Sequence, residues 1–254
     1  MRNIKLTISY DGSSFRGWQS QHGQPTIQDE IEKALFKMTG QKCSVISSGR
    51  TDAGVHALAQ VANFRTDSNI PLQGFLKGLN SLLPEEIAIL DIEEVAPEFH
   101  ARKSALRKEY LYRIVVSKIR LPLLIKRAWI VNADCLDVAQ MKEAASCLIG
   151  THDFFSFMAS GSSVKNTIRT IFSLDLNSLF CPEYPDLKVP EIRMRIVANG
   201  FLRYMVRNIT GLLIEVGLGK RAVDEVYEIL KKKDRKYGAR TAPAQGLYLM
   251  KVFY

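Results

Sequence analysis

The chain has 254 residues and a net charge of +9, from 35 Lys and Arg against 26 Asp and Glu. That surplus suits a polyanion such as nucleic acid, and no apolar run approaches the roughly 20 residues of a membrane-spanning helix. Cys43, Cys135, Cys147 and Cys181 are far apart with no Cys-x-x-Cys pair, which excludes a zinc-finger spacing and fits a reduced, cytoplasmic protein.

In chain order, Met1-Arg2-Asn3-Ile4-Lys5 enters a strand at once and lacks the apolar core of a secretory signal. Ile4, Leu6, Ile8 and Tyr10 alternate with Lys5, Thr7 and Ser9, the pattern of a half-buried strand. Thr26-Ile27-Gln28-Asp29 resembles a capping box, and Ile27, Ile31, Leu35 and Met38 recur at helical spacing until Gly40. Residues 43–48 and 57–64 read as strands. Pro71 opens a helix carrying Phe75, Leu76, Leu79 and Leu83, Pro84 stops it, and 87–95 is a fourth strand. The order β-α-β-β-α-β is that of a ferredoxin-like unit.

The second half mixes the same elements less regularly. Tyr110, Tyr112, Ile114 and Val116 share a strand face, and Leu136, Met141, Ala145 and Leu148 mark a helix expected to end at Gly150. Strands are expected near 167–176 and 192–197, with 177–190 as a long hairpin tip. Helices follow over 202–216 and 223–230, and 247–254 is a final strand. With a hinge near 99–108, the expected domains are 1–103 and 104–254. A twofold repeat fits the element order, although no residue-level self-similarity supports it.

The segment Gly49-Arg50-Thr51-Asp52-Ala53-Gly54-Val55-His56-Ala57 places a carboxylate in a glycine-flanked turn before a buried strand. Such a loop holds a catalytic side chain firmly, and Arg50, if it points the same way, favours ionised Asp52. The same residues also fit a turn whose Thr51 and Asp52 bond only local backbone. Tyr10-Asp11-Gly12, Phe15 and Gly17-Trp18-Gln19 offer aromatics that either stack on bases or plug the core. Phe99-His100-Ala101-Arg102, with Lys103, Arg107 and Lys108, is either a solvated linker or a phosphate contact. Arg203 and Arg207, one turn apart on the polar face of the expected helix, either grip phosphates or are ordinary surface arginines. The run 231–236 reads as a solvated basic helix end, and 241–247 as a small-residue turn. Four scattered histidines (His22, His56, His100, His152) give no reason to expect a transition metal.

Jointly and in this order, these motifs resemble the bacterial tRNA pseudouridine synthase A family almost end to end, including Phe201-Leu202-Arg203-Tyr204-Met205-Val206-Arg207-Asn208 and Thr241-Ala242-Pro243-Ala244-Gln245-Gly246-Leu247. The resemblance implies an α+β fold, the pseudouridine synthase fold. It consists of two ferredoxin-like (RRM-like) domains with mainly antiparallel sheets flanking a basic cleft. Asp52 matches the catalytic aspartate, Arg207 the arginine paired with it, and Arg50 the arginine that assists base flipping. Tyr110 matches the tyrosine that stacks on the target uracil, and Arg203 and Arg102 are further candidates for substrate binding. The family acts as homodimers on uridines 38, 39 and 40 of the tRNA anticodon stem-loop. The 177–190 hairpin looks longer than the family pattern and carries no motif residue.

Isomerising uridine to pseudouridine breaks N1–C1′, turns the base and joins C5 to C1′. No redox step or group donor enters, so no cofactor and no metal is expected, in keeping with the absence of nucleotide-binding loops. A carboxylate nucleophile splits the reaction into easier steps, and stacking on Tyr110 offsets the few kcal/mol of unstacking the target. A non-catalytic RNA binder would explain the charge and the tyrosines but not Arg50, Asp52 and Arg207. A base-removing glycosylase would call for a second carboxylate and release free uracil.

Overall fold

The computed structural model describes residues 1–161 and 164–254. In chain order the elements are β1 (Arg2–Tyr10), α1 (Ile27–Thr39), β2 (Ile46–Ser47), β3 (His56–Thr66), α2 (Leu72–Leu82), β4 (Ile87–Val95) and β5 (Arg107–Val116). There follow β6 (Trp129–Val131), α3 (Val138–Ser146), β7 (Gly150–Asp153), β8 (Ile168–Phe180), β9 (Pro190–Ala198), α4 (Met205–Gly217), α5 (Asp224–Lys232) and β10 (Leu247–Phe253). The fold is α+β, with a mixed, mostly antiparallel arrangement of strands in which β10 pairs with β3 and β6 with β5 in parallel. Two compact units divide the chain: Met1–Leu106 with Tyr248–Tyr254, and Arg107–Leu247. Among the described residues, no helix is long and apolar enough to cross a membrane.

In the first unit β4, β1 and β3 lie side by side, and β2 pairs with β3 antiparallel, the ferredoxin-like order. Ile4, Leu6, Ile8 and Tyr10 of β1 are buried, together with Ile27, Ile31 and Leu35 of α1 and Phe75 and Leu79 of α2. Thr26 caps α1 by accepting from the Asp29 N–H, and Gly40 ends the helix at φ +69, where a side chain would be strained. The strand expected over 43–48 shrinks to two residues. Cys43 and Val45 still point inward, but the Val45 N–H is taken by the Glu32 carboxylate at 2.9 Å rather than by a neighbouring strand. The last strand, grouped by its sequence position with the second half, pairs in parallel with β3, Tyr248 opposite His56 and Leu249 opposite Ala57.

In the second unit the sheet order is β6-β5-β9-β8-β7. Along the chain it runs β5-β6-α3-β7-β8-β9-α4-α5, with β6, β7 and α5 in addition to the strand-helix-strand-strand-helix path of the first unit. Tyr112, Ile114, Leu174, Leu176, Met194 and Ile196 are buried on this sheet. Helices α3 and α4 approach closely: a Cβ on Gly217 would lie 2.6 Å from Met141 Sδ. Two helix boundaries differ from the periodicity. Cys147 caps α3, and Gly150, expected to stop that helix, opens β7 at φ +108. Helix α4 starts at Met205 instead of 202, because Tyr204 adopts a left-handed φ of +65. Arg203 therefore lies outside the helix, and its expected one-turn spacing from Arg207 on one helical face is not realised.

Candidate active site

Asp52 sits in the connection from β2 to β3, and neighbouring backbone braces that loop from several sides. The Ser48 N–H donates to Val61 O at 2.7 Å, the Ser48 hydroxyl to Gln60 Oε1 at 2.6 Å, and Gln60 Nε2 to Gly49 O at 2.9 Å. Gln60 is wholly buried, so these bonds operate without competing water. Tyr10 and Thr51 share a hydroxyl hydrogen bond of 2.8 Å, and burial pushes the Tyr10 phenol up to about 12 despite hydrogen bonds that favour its ionised form. The Trp18 N–H donates to Thr51 O at 3.1 Å, and the Val55 N–H to Asp52 O at 3.2 Å, closing a turn through Gly54 at φ +77.

Two glycines after β1 make the close fit possible. A Cβ on Gly12 would lie 2.0 Å from Val55 O, and one on Gly17, at φ +93, would lie 2.6 Å from Thr51 O. Trp18 is 1 % exposed, with its ring 6.2 Å from that of Tyr10. Of the two readings of this motif, the core plug holds. The outcome is a loop whose backbone is fixed by neutral groups, with Asp52 itself a half-buried residue. Arg50, two residues before it, is exposed.

Sequence reasoning passed over His56 as one of four scattered histidines. It is 3 % exposed, stacks on Tyr248 at 4.6 Å and brings Nδ1 within 3.2 Å of Asp11 Oδ1. The Gly12 N–H also points at Nδ1, at 3.2 Å. The two contacts need opposite protonation of that nitrogen, so His56 and Asp11 form a pair that responds to the ring's tautomer. Its place directly after Val55 was the available signal.

In the second unit Tyr110 of β5 is 8 % exposed and meets Phe201 edge-on at 5.0 Å. Tyr112, two residues on, has a different task. Its hydroxyl donates to Pro243 O at 2.6 Å, and its ring leaves no room for a Cβ on Gly246, which would lie 2.6 Å away. Burial raises its phenol pKa well above the usual range, so it stays a neutral donor. Tyr112 thus anchors the 241–247 turn.

That turn in turn fixes Arg207. Arg207 Nε donates to Ala242 O at 2.7 Å, and the Ala242 N–H donates back to Arg207 O at 3.1 Å. A Cβ on Gly211 would lie 1.8 Å from Arg240 O, so α4 and this turn touch backbone to backbone. The guanidiniums of Arg207 and Arg203 lie 4.7 and 4.9 Å from the centre of the same Tyr204 ring.

The remaining basic residues divide. Arg102 is exposed, in a turn where its N–H meets His100 Nδ1 at 3.2 Å. Lys231 pairs with Glu228 at 3.0 Å, Lys232 lies 4.1 Å from the Tyr237 ring, and Lys233 pairs with Asp153 at 3.1 Å. These exposed charges match the solvated helix end expected of 231–236.

Distant sequence positions also meet where spacing gave no hint. Ligand atoms of Cys181, Glu183 and Glu191 lie within 4.8 Å of one another. Arg113 already sits there, with Nε 2.8 Å from Glu191 Oε1 and Nη1 2.9 Å from Glu183 Oε1. Burial would raise the Glu183 carboxyl, but Arg113 and Cys181 outweigh it and bring it down to about 2. Burial pushes the Cys181 thiol up to about 11. A guanidinium between two carboxylates and a protonated thiol make an ion-pair network, a poor set of ligands for a metal.

A tRNA pseudouridine synthase family model matches residues 6–102 and 144–254. Tyr110 lies in the stretch between the two matched segments. The chain is 46% identical over 254 residues to tRNA pseudouridine synthase A of Thermoanaerobacter sp. (strain X514), covering 100% of both chains. It is also 46% identical, again over 100% of both chains, to the protein of that name from Acetivibrio thermocellus. The Bacillus subtilis (strain 168) protein of that name is 45% identical over 254 residues, covering 99% of this chain and 98% of that one. With the family model spanning most of the chain and relatives alike from end to end, this protein belongs to the tRNA pseudouridine synthase family of isomerases.

Proposed function

We propose that this enzyme converts uridines 38, 39 and 40 of the tRNA anticodon stem-loop to pseudouridine, with Asp52 as nucleophile, and that it works as a cytoplasmic homodimer. The observation that carries the reading is the bracing of the Asp52 loop by neutral groups. Gly12, Gly17, Trp18, Tyr10 and Gln60 fix its backbone, and Asp52 itself is a half-buried residue. A nucleophile gains most when its position is set in advance.

In this mechanism the target uridine leaves its stack and lies against Tyr110, with Arg50 assisting the flip. Asp52 forms a covalent link to the nucleotide as N1–C1′ breaks. The uracil turns in place, C5 joins C1′ and the link to Asp52 is released, and the proton lost from C5 to solvent is balanced by one taken up at N1. Arg207, whose Nε is held by Ala242 O, presents its positive charge to the aspartate, and Arg203 and Arg102 contact RNA phosphates. Four free cysteines accord with a reducing compartment.

Incubation with tRNA tritiated at uridine C5 tests the chemistry. Tritium release without free uracil, confined to substrates with uridine at 38–40, is the expected result. Free uracil would replace the isomerase by a glycosylase, and binding without release would leave only an RNA-binding protein. Sedimentation of the same preparation tests the dimer.

A further inference from the structure

A cavity of about 310 Å³ in the second unit is lined by Ala159, Ser160, Arg203, Tyr204, Arg235 and Thr241. That lining brings together two guanidiniums and two aliphatic hydroxyls. Arg235 is half-buried, and its Nη2 donates only to neutral oxygens: Ala239 O at 2.8 Å, Asn208 Oδ1 at 3.1 Å and Thr241 Oγ1 at 3.2 Å. Burial lowers its pKa, with only a partial offset from the charge of Glu215. A cation held out of water by neutral dipoles gains when an anion arrives.

Two further features add positive potential. Helix α4 begins at this cavity after Tyr204, with no side-chain cap and no acidic residue in its first turn, so the helix dipole favours an anion there. Tyr204 itself is held at φ +65, a conformation that costs a non-glycine residue about 1 kcal/mol or more. That geometry lays its ring against the Arg203 guanidinium, whose Nη2 reaches the Tyr204 hydroxyl at 3.3 Å. The Arg207 guanidinium lies 4.7 Å from the centre of the same ring, so the ring is engaged by cations and is no platform for a base.

We propose that this cavity seats one backbone phosphate of the RNA substrate, with Arg203 and Arg235 as its cations and Ser160 as a hydroxyl donor. The proposal rests on the tRNA-modifying function argued above and adds a fixed register point for the RNA strand. A phosphate contact of this kind orients the strand without reading its sequence.

The test measures affinity against salt for wild type, Arg203→Gln, Arg235→Gln and Arg235→Lys. The RNA is an anticodon stem-loop carrying a neutral methylphosphonate at one linkage at a time. Each glutamine variant is expected to bind roughly tenfold more weakly and to lower the salt slope by about one, with Arg235→Lys close to wild type. At one linkage the methylphosphonate should weaken wild type yet add nothing to the loss in Arg203→Gln. Arg203 is exposed, so this arm stands even if Arg235→Gln disturbs the turn. Wild-type tritium release alongside unchanged salt slopes, or equal losses at every linkage, would overturn the phosphate seat and leave the function intact. A wild type that neither binds RNA nor releases tritium would remove both.

Discussion

The β2–β3 and β8–β9 connections each join neighbouring antiparallel strands, and they are built in opposite ways. In the first unit β2 has two residues, and the loop to β3 is pinned by backbone groups, two hydroxyls and an amide. In the second, β8 runs for thirteen residues and pairs with β9 down to Phe180 opposite Pro190, with the Cys181 N–H closing the tip on Val189 O at 2.8 Å. There the charges turn inward: Glu191 is wholly buried against Arg113 and Arg193. An ion-pair network rigidifies a hairpin through its charged side chains, whereas neutral bracing rigidifies a loop through its backbone. The β2–β3 loop is of the neutral kind, and the β8–β9 hairpin is an ion-pair clasp.

The largest expected effect comes from Asp52→Asn. Because the scaffold uses the loop backbone, folding should be unchanged and tRNA affinity should stay within about tenfold. Single-turnover tritium release should fall at least about a thousandfold. Robust turnover by a homogeneous variant, free of deamidation, would remove the contrast altogether.

Glu191→Ala should do the reverse. It leaves Arg113 buried beside a gap, so stability should drop by about 3–5 kcal/mol in denaturant titration, while turnover per folded molecule is kept. A selective loss of turnover would show that the clasp takes part in the chemistry.

Gly12→Ala tests the bracing directly. Its Cβ would have to displace Val55 O, now 2.0 Å from that position, at a cost of about 1–3 kcal/mol. Since Val55 closes the Asp52 turn, turnover per folded molecule should fall as well, unlike in Glu191→Ala. Unaltered turnover in a destabilised protein would mean that the loop tolerates slack.

The smallest effect separates the two connections by pH. The Glu183 carboxyl is lowered from 4.5 to about 2, so its contribution is full above pH 4.5 and lost as pH falls toward 2. The Tyr10 phenol is raised from 10.0 to about 12, so its contribution is full below pH 10 and lost as pH rises toward 12. Acid should therefore loosen the clasp, and alkali the Asp52 loop. Melting curves against pH should show the acid-side slope reduced in Glu183→Gln and the alkaline slope reduced in Tyr10→Phe. Parallel slopes in both variants would erase the distinction.

Much of the fold was legible because it rests on local physics. Thr26 and Gly40 bound α1 where a cap acceptor and a left-handed residue are required, and alternation marked β1 down to Tyr10. The strand read over 87–95 has those bounds, and Pro71 immediately precedes α2 as its fixed φ demands. The Asp52 turn stood out for the same reason, with its glycine at positive φ lying inside a nine-residue stretch.

Contacts between distant segments decided the rest. Periodicity saw Cys43 and Val45 turn inward but not the Glu32 carboxylate that takes the Val45 N–H, so β2 was read too long. It placed Arg203 on a helix because a single left-handed residue, Tyr204, leaves no trace in the spacing of apolar side chains. Arg113, Cys181, Glu183 and Glu191 meet only once β5, β8 and β9 are in register, and β10 pairs with β3 across nearly the whole chain. Sequence by itself determined the element types and the motif residues, since propensity, capping and turn chemistry act within a few residues. Tertiary structure decided which backbone groups brace Asp52 and which guanidiniums surround Tyr204, since those depend on hydrogen bonds and burial that exist only when remote segments pack.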